Sequence, residues 1–287
     1  MLTILVAVDP KHTASPLLAR AAQLSKQLGA AVTVQHVVEG METAQWDLRK
    51  RLEQDTLATL KSLASAAGFP TPPSFKIEFG TPYRCINKTA EILSANLIII
   101  GPGQPATVMQ RVLGSTADRI VRTASMPVLV VRNQDVHPYR NLTVAIDFSP
   151  LAEIALAAAR ILAPNSHTEL LYAYEVPLPF EQAMLRSGTS PAEAKRFREV
   201  KMNNYRRRLE DYARKYASGA TARVLEGPPG AILVRLSHSG SVDLIALGTQ
   251  GRNAVAQALL GSVAQRLLSE AGCDLLVTGP LCQSFGD

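Results

Sequence analysis

A chain of 287 residues with 47% hydrophobic and 19% charged side chains carries enough apolar material for two ordinary domain cores, which excludes an intrinsically disordered polypeptide. Its formal charge of +6 is spread over both halves, and the richest basic stretch, Lys195 to Lys215, interleaves Arg206, Arg207 and Arg208 with Glu199, Glu210 and Asp211 as a solvated helix does, so nucleic acid is not expected as a partner. Cys85, Cys273 and Cys282 have neither disulfide nor zinc spacing, no apolar run approaches the ~20 residues that span a bilayer, and Leu2 to Val8 lacks a basic leader; a cytoplasmic location, with no membrane partner, is expected.

The chain opens with the branched apolar run Thr3 to Val8, too short for a helix, which ends on Asp9. Leu17, Leu18, Ala21, Leu24 and Leu28 then mark a helix that stops at Gly29. A second strand is predicted over Ala31 to Val38 and a long helix over Thr43 to Ala67, whose Trp46, Leu48, Leu52 and Leu60 read as core or interface. Ser74 to Phe79 predicts a third strand, closed by Gly80-Thr81-Pro82 before another helix. The continuous apolar run Leu97 to Ile100 suits a strand buried on both faces. A helix from Ser115 and a strand over Pro127 to Val131 complete the half, and Arg132 to Arg140 reads as a linker.

The same order recurs after about 140 residues, and a repeat of that length is one whole domain. Leu142 to Ile146 ends on Asp147, and Ile154, Ala158, Ile161 and Leu162 mark the next helix, which stops before Pro164. Strands follow at Thr168 to Tyr174, Thr221 to Leu225, Val242 to Leu247 and Asp274 to Val277, with helices over Pro191 to Ala217, after Gly227-Pro228-Pro229, and from Ser262. Strict alternation of strand and helix argues for parallel sheets covered on both faces.

The most informative stretch is Gly248-Thr249-Gln250-Gly251, nine residues, then Gly261-Ser262-Val263-Ala264, which joins a strand end to a helix start. Glycines let main-chain amides approach a phosphate, and unpaired amides in a helix's first turn favour an anion. The first half reproduces Gly101 and Gly114-Ser115-Thr116-Ala117 at the same offsets, but Gln104 and Pro105 stand where the second half has Gly251 and Arg252. Asp9 and Asp147 are either ligand contacts or caps for the helices that follow. The five histidines are scattered without metal-ligand spacing, so no metal site is expected.

This spacing resembles the universal stress proteins, whose ATP-binding members carry glycine, two residues, glycine, nine residues, glycine and Ser or Thr. Asp147-Phe148-Ser149 followed by Ala152 to Leu156 is similar to the family's first strand and helix, and the resemblance runs through nearly the whole chain twice. It implies an α/β fold with two tandem doubly wound domains, 1–133 and 140–287. Each would be a five-stranded parallel sheet of order 3-2-1-4-5 with helices on both faces. That order reverses between strands one and four, where ligands settle.

By family position, Asp147 would contact base or ribose, and the backbone near Ala173 would read adenine. Gly248, Gly251, Gly261, Ser262 and Val263 would hold ribose and phosphates, with Arg252 adding charge. In the first half Asp9, Val37, Gly101, Gly114, Ser115 and Thr116 form a degenerate counterpart. The implied ligand is ATP or a related adenine nucleotide, with any Mg2+ held by the phosphates.

The resemblance implies a stress-response role as a regulatory binding module with an unidentified protein partner. The alternatives are a slow ATP hydrolase, against which the lack of a Walker-type Lys-Ser or Lys-Thr loop argues, and a nucleotide-independent interaction module. Family domains dimerise through the fifth strand, so Val128 to Val131 and Leu275 to Val277 are expected to pair within the chain as an intrachain pseudo-dimer, with a homodimer left open.

Overall fold

The computed structural model describes residues 1–10, 14–40, 46–103, 116–176, 182, 186–250 and 260–282. The first half comprises β1 (Thr3–Ala7), α1 (Ala14–Leu28), β2 (Ala31–Val38), α2 (Trp46–Ala67), β3 (Ser74–Phe79), α3 (Pro82–Ile92), β4 (Leu97–Ile100), α4 (Thr116–Thr123) and β5 (Val128–Val130). The second comprises β6 (Asn141–Ala145), α5 (Pro150–Leu162), β7 (His167–Tyr174), α6 (Pro191–Tyr216), β8 (Thr221–Glu226), α7 (Pro229–Ser237), β9 (Leu244–Gly248), α8 (Ser262–Glu270) and β10 (Asp274–Thr278).

The strands form one ten-stranded sheet of order β3-β2-β1-β4-β5-β10-β9-β6-β7-β8. Pairing is parallel within each half, and β5 meets β10 antiparallel, Val128 opposite Val277 and Val130 opposite Leu275. The two fifth strands therefore cover each other's open edges, as their apolar character anticipates. The fourth and fifth strands of each half are buried: all residues of β4, β5 and β10, and Leu244 to Leu247 of β9.

Two apolar layers lie on opposite faces of the sheet, each running through both halves. One packs Leu17, Leu18 and Leu24 of α1 with Leu156 and Leu162 of α5; the other packs Ile86 and Ile120 with Leu233 and Leu267. Each such leucine or isoleucine, withdrawn from water, contributes roughly 2 kcal/mol.

Two strand boundaries and the burial of one helix face differ from the sequence reading in an instructive way. β1 and β6 stop two residues before their acids, because Asp147 lies in a turn: its Oδ1 accepts the Ser149 N–H at 2.9 Å, and Phe148 takes a left-handed φ of 61°. Of the set expected to be core or interface, Leu60 is fully buried and Leu52 half-buried, while Trp46 and Leu48 are exposed at 70% and 46%. The start of the long helix at Thr43 lies outside the described residues.

The linker is clamped by a carboxylate that the apolar pattern of β10 does not advertise. Asp274, wholly buried, accepts the N–H groups of Arg132 (2.7 Å) and Asn133 (2.8 Å) on Oδ1 and the Tyr139 hydroxyl (2.7 Å) on Oδ2. The equally buried Arg20 of α1 lies 3.3 Å from Asp274 Oδ2, donates to the His137 carbonyl at 2.7 Å, and stacks 4.0 Å above the Tyr139 ring. Burial and the Asp274 charge push the Tyr139 phenol well above its ordinary range. Asp243 holds the other end of the linker through the N–H groups of Arg140 and Asn141, at 2.7 and 2.9 Å.

Candidate functional site

A hollow of about 300 Å³ opens at the carboxyl ends of β6 and β9. Asp147, Ala173, Gly248, Gly261, Ser262 and Val263 all line it, so six of the eight residues singled out in the second half converge on one cavity. Gly251 and Arg252 lie outside the described residues. The floor is apolar, formed by Leu171, Leu247 and Leu233, with Pro229 and Ala264 at the walls. An apolar cavity with few convergent polar groups suits a small ligand, and its volume is at the lower end of the roughly 300–1,000 Å³ usual for such sites.

The polar groups follow from local structure. The Ile146 N–H donates to the Leu171 carbonyl at 2.9 Å, forming the outermost rung between β6 and β7. Main-chain groups two residues apart on a strand point to the same side, so Ala173 directs its N–H and C=O past the end of β6, into the mouth of the hollow. Asp147 uses one oxygen to accept the Ser149 N–H, while Ser149 caps α5 by accepting the Ala152 N–H. Capping and ligand contact thus compete for one oxygen of Asp147 but not for both.

The first turn of α8 is built differently. Its N-cap is Gly261, which has no side chain to satisfy the amides that follow, so the main-chain donors of the first turn stay uncapped beside the cavity. The Gly261 N–H is itself spent on the Thr249 carbonyl at 2.7 Å, which leaves Ser262 and Val263 to supply the free donors. Gly248 owes its identity to packing: a Cβ there would stand 2.7 Å from Leu151 Cβ and 3.4 Å from the Ala152 N of α5.

Sequence reasoning did not single out Thr249 as a ligand contact, although it sits inside the glycine motif. It is 1% exposed, lines the hollow, donates its N–H to the Thr278 carbonyl at 2.9 Å, and keeps a buried Oγ1 that has no hydrogen-bond partner among the described residues. An orphaned buried hydroxyl costs about 1–3 kcal/mol, and a polar ligand group can relieve that cost.

On the opposite face of β7, an aromatic array links Tyr216, Tyr212, Phe148, Tyr172, Tyr205 and Tyr174 at centroid spacings of 4.7 to 5.7 Å. The Arg208 guanidinium caps Phe148 at 3.9 Å, bracing the turn that carries Asp147. Burial and the neighbouring Tyr205 push Tyr172 up to about 12; burial and the bond to Glu226 do the same for Tyr174.

The first-half counterpart is less complete. Gly101 follows β4 and Thr116 opens α4, whereas Gly114, Ser115, Gln104 and Pro105 lie outside the described residues. Val8 donates to the Gln35 carbonyl at 2.9 Å, so Val37 has the register of Ala173, and the exposed Asp9 has that of Asp147. Yet buried Gln35 occupies the position of Leu171, its amide nitrogen tied to Glu78 (2.9 Å) and Thr89 (3.0 Å), and Pro102 replaces Thr249, removing both hydroxyl and N–H.

The model of the "Universal stress protein family" matches residues 1–132 and again 138–279, spanning both glycine-bearing halves. The chain belongs to the universal stress protein family. Curated relatives that carry the family name, one from Staphylococcus saprophyticus and one from Staphylococcus aureus, match about half of the chain. They are 29% and 30% identical over 143 and 142 residues, which cover 47% and 46% of this chain and 85% of each relative. A universal stress protein crystal structure from Archaeoglobus fulgidus covers 97% of this chain and 98% of its own, with a TM-score of 0.66 at 18% identity, a likeness of fold. Among the described residues of this universal stress protein, no helix is long and apolar enough to cross a membrane.

Proposed function

We propose that this universal stress protein is a cytoplasmic stress-response module that binds ATP or a related adenine nucleotide in its second domain and works through binding rather than turnover. The observation that carries the reading is the second-half hollow, in which an uncapped helix start, a carboxylate and the partnerless Thr249 hydroxyl surround an apolar floor. The apolar floor suits a purine ring, whose edge the free main-chain groups of Ala173 can read. Asp147 suits a ribose hydroxyl, and the Ser262 and Val263 amides suit phosphate oxygens. Gly248 and Gly261 contribute by having no side chain. The bound nucleotide supplies the negative charge that the α8 terminus favours, and any Mg2+ travels with its phosphates.

We read the domains as 1–133 and 140–287, with Asp9, Val37, Gly101, Gly114, Ser115 and Thr116 as a degenerate site in the first. Gly251 and Arg252 complete the phosphate loop of the second. Binding is coupled to a partner-facing surface to the extent that nucleotide distinguishes two loop states.

The test combines mass spectrometry of ligand released from freshly purified protein with thermal unfolding in MgATP. Nucleotide at about a hundred times its Kd raises stability by about 2.7 kcal/mol. The rise should be lost in Asp147→Ala. An unchanged melting temperature for wild type in millimolar nucleotide, with no nucleotide in the released fraction, rules the reading out.

A further inference from the structure

A groove of about 820 Å³ lies in the first half, away from the nucleotide hollow. Three consecutive β3 residues, Ile77, Glu78 and Phe79, line it, together with α2 on one face of the sheet and α3 on the other. A groove flanked by helices of both faces and floored by successive strand residues runs along the strand's edge. Among the described residues that edge is open: β3 ends the sheet and pairs with β2 alone, and none of its residues is fully buried.

The charges beside this edge are unbalanced. Arg49 and Lys50 reach it from α2, Arg84 and Lys88 from α3, against Glu53 and Glu78. Glu78 is already committed to Lys76 at 2.8 Å and Gln35 at 2.9 Å. Among the described residues, Arg49, Lys50 and Lys88 have no carboxylate within ion-pair distance. Arg49 and Lys50 rest on aromatic faces instead, Arg49 4.4 Å from Phe79 and Lys50 4.7 Å from the exposed Trp46.

The other end of the sheet is neutralised. Along β8, Arg223 meets Glu169 at 3.7 Å and Glu226 meets Arg198 at 3.8 Å. An open strand flanked by cations is also the arrangement that discourages edge-to-edge aggregation. Here, however, the cations stand on both sides of one groove rather than pointing outward from the strand itself.

We propose that the β3 edge is a docking strand for an extended acidic peptide segment of a partner protein, received as an eleventh strand. Main-chain groups of the incoming segment pair with the outward groups of β3. Successive side chains of a strand point to opposite faces. Adjacent acidic residues therefore meet Arg49 and Lys50 on one side and Arg84 and Lys88 on the other, and an aromatic residue finds Trp46.

Two fluorescein-labelled peptides of glutamate and tyrosine test this, one ordinary and one N-methylated at alternate residues, which keeps the charge but removes strand pairing. The ordinary peptide should bind in fluorescence anisotropy and slow alkylation of Cys85, which lines the groove and, of the three free thiols, is the one not buried. The N-methylated peptide, and the ordinary peptide against Arg49→Glu or Lys88→Glu, should bind at least about tenfold more weakly. If a charge-reversal variant melts abnormally, the two peptides on wild-type protein decide. Equal binding of both peptides, no protection of Cys85, or equal protection by inorganic tripolyphosphate overturns the proposal.

Discussion

The two halves share strand order, register and helix placement, yet their strand-one and strand-four termini have diverged. In the second half the floor is Leu171 and Leu247, and the polar groups at the rim are partly unsatisfied. In the first, Gln35, Thr89, Glu78 and Lys76 bond one another, and Pro102 takes the place of Thr249. Gln35 Oε1 too is buried without a partner among the described residues, but the rest of that network is bonded, whereas the Thr249 hydroxyl lines an apolar cavity. The two halves therefore agree at the positions that the apolar alternation dictates and differ at those that line the second-half hollow.

The strongest way to break the comparison is to break what joins the halves. Asp274→Ala leaves Arg20 charged and buried, and should lower stability by about 3–5 kcal/mol in urea unfolding. Because the pair spans both halves, a single transition should separate into two; replacing both partners with Met and Leu should restore much of the loss. A smaller effect is expected at Gly248, where Ala drives a methyl against Leu151 and costs about 1–3 kcal/mol, measured the same way.

Thr249→Val sharpens the contrast because its two effects have opposite signs. Removing the orphaned hydroxyl should stabilise the nucleotide-free protein by about 1 kcal/mol while reducing the rise in melting temperature that nucleotide produces. The least effect concerns pH. Tyr172 and Tyr174 ionise near 12 when folded against about 10 when unfolded, so the unfolded chain releases their protons first. Stability is full below pH 10 and falls between 10 and 12. Tyrosinate absorbance and circular dichroism should show the second half, which holds the array, loosening before the first.

Strand and helix order was readable in the sequence because short apolar runs ending at Gly, Pro or an acid report burial locally. Asp147, Ala173 and the helix start at Ser262 were placed by register and by the family motif. What escaped is non-local. Nothing near Gly248 in sequence indicates that α5 would press against it, and nothing near Thr249 that its hydroxyl would be left without a partner. Arg20 stands outside the apolar stripe of its helix and Asp274 opens a strand, and neither position announces that the fold brings the two within 3.3 Å. Trp46 fits a helical apolar stripe but lies where α2 overhangs the sheet's end.

The antiparallel seam between β5 and β10 fixes one further property of the molecule. All strands of one half run opposite to all strands of the other, so the carboxyl-terminal rims of the two halves lie at opposite poles of the sheet. A molecule occupying the intact rim and one approaching its altered counterpart can neither collide nor share a contact. Any influence of one on the other has to pass through the shared sheet, the apolar layers and the Arg20–Asp274 pair that join the halves, and because both rims belong to one polypeptide, every copy displays the same unequal pair.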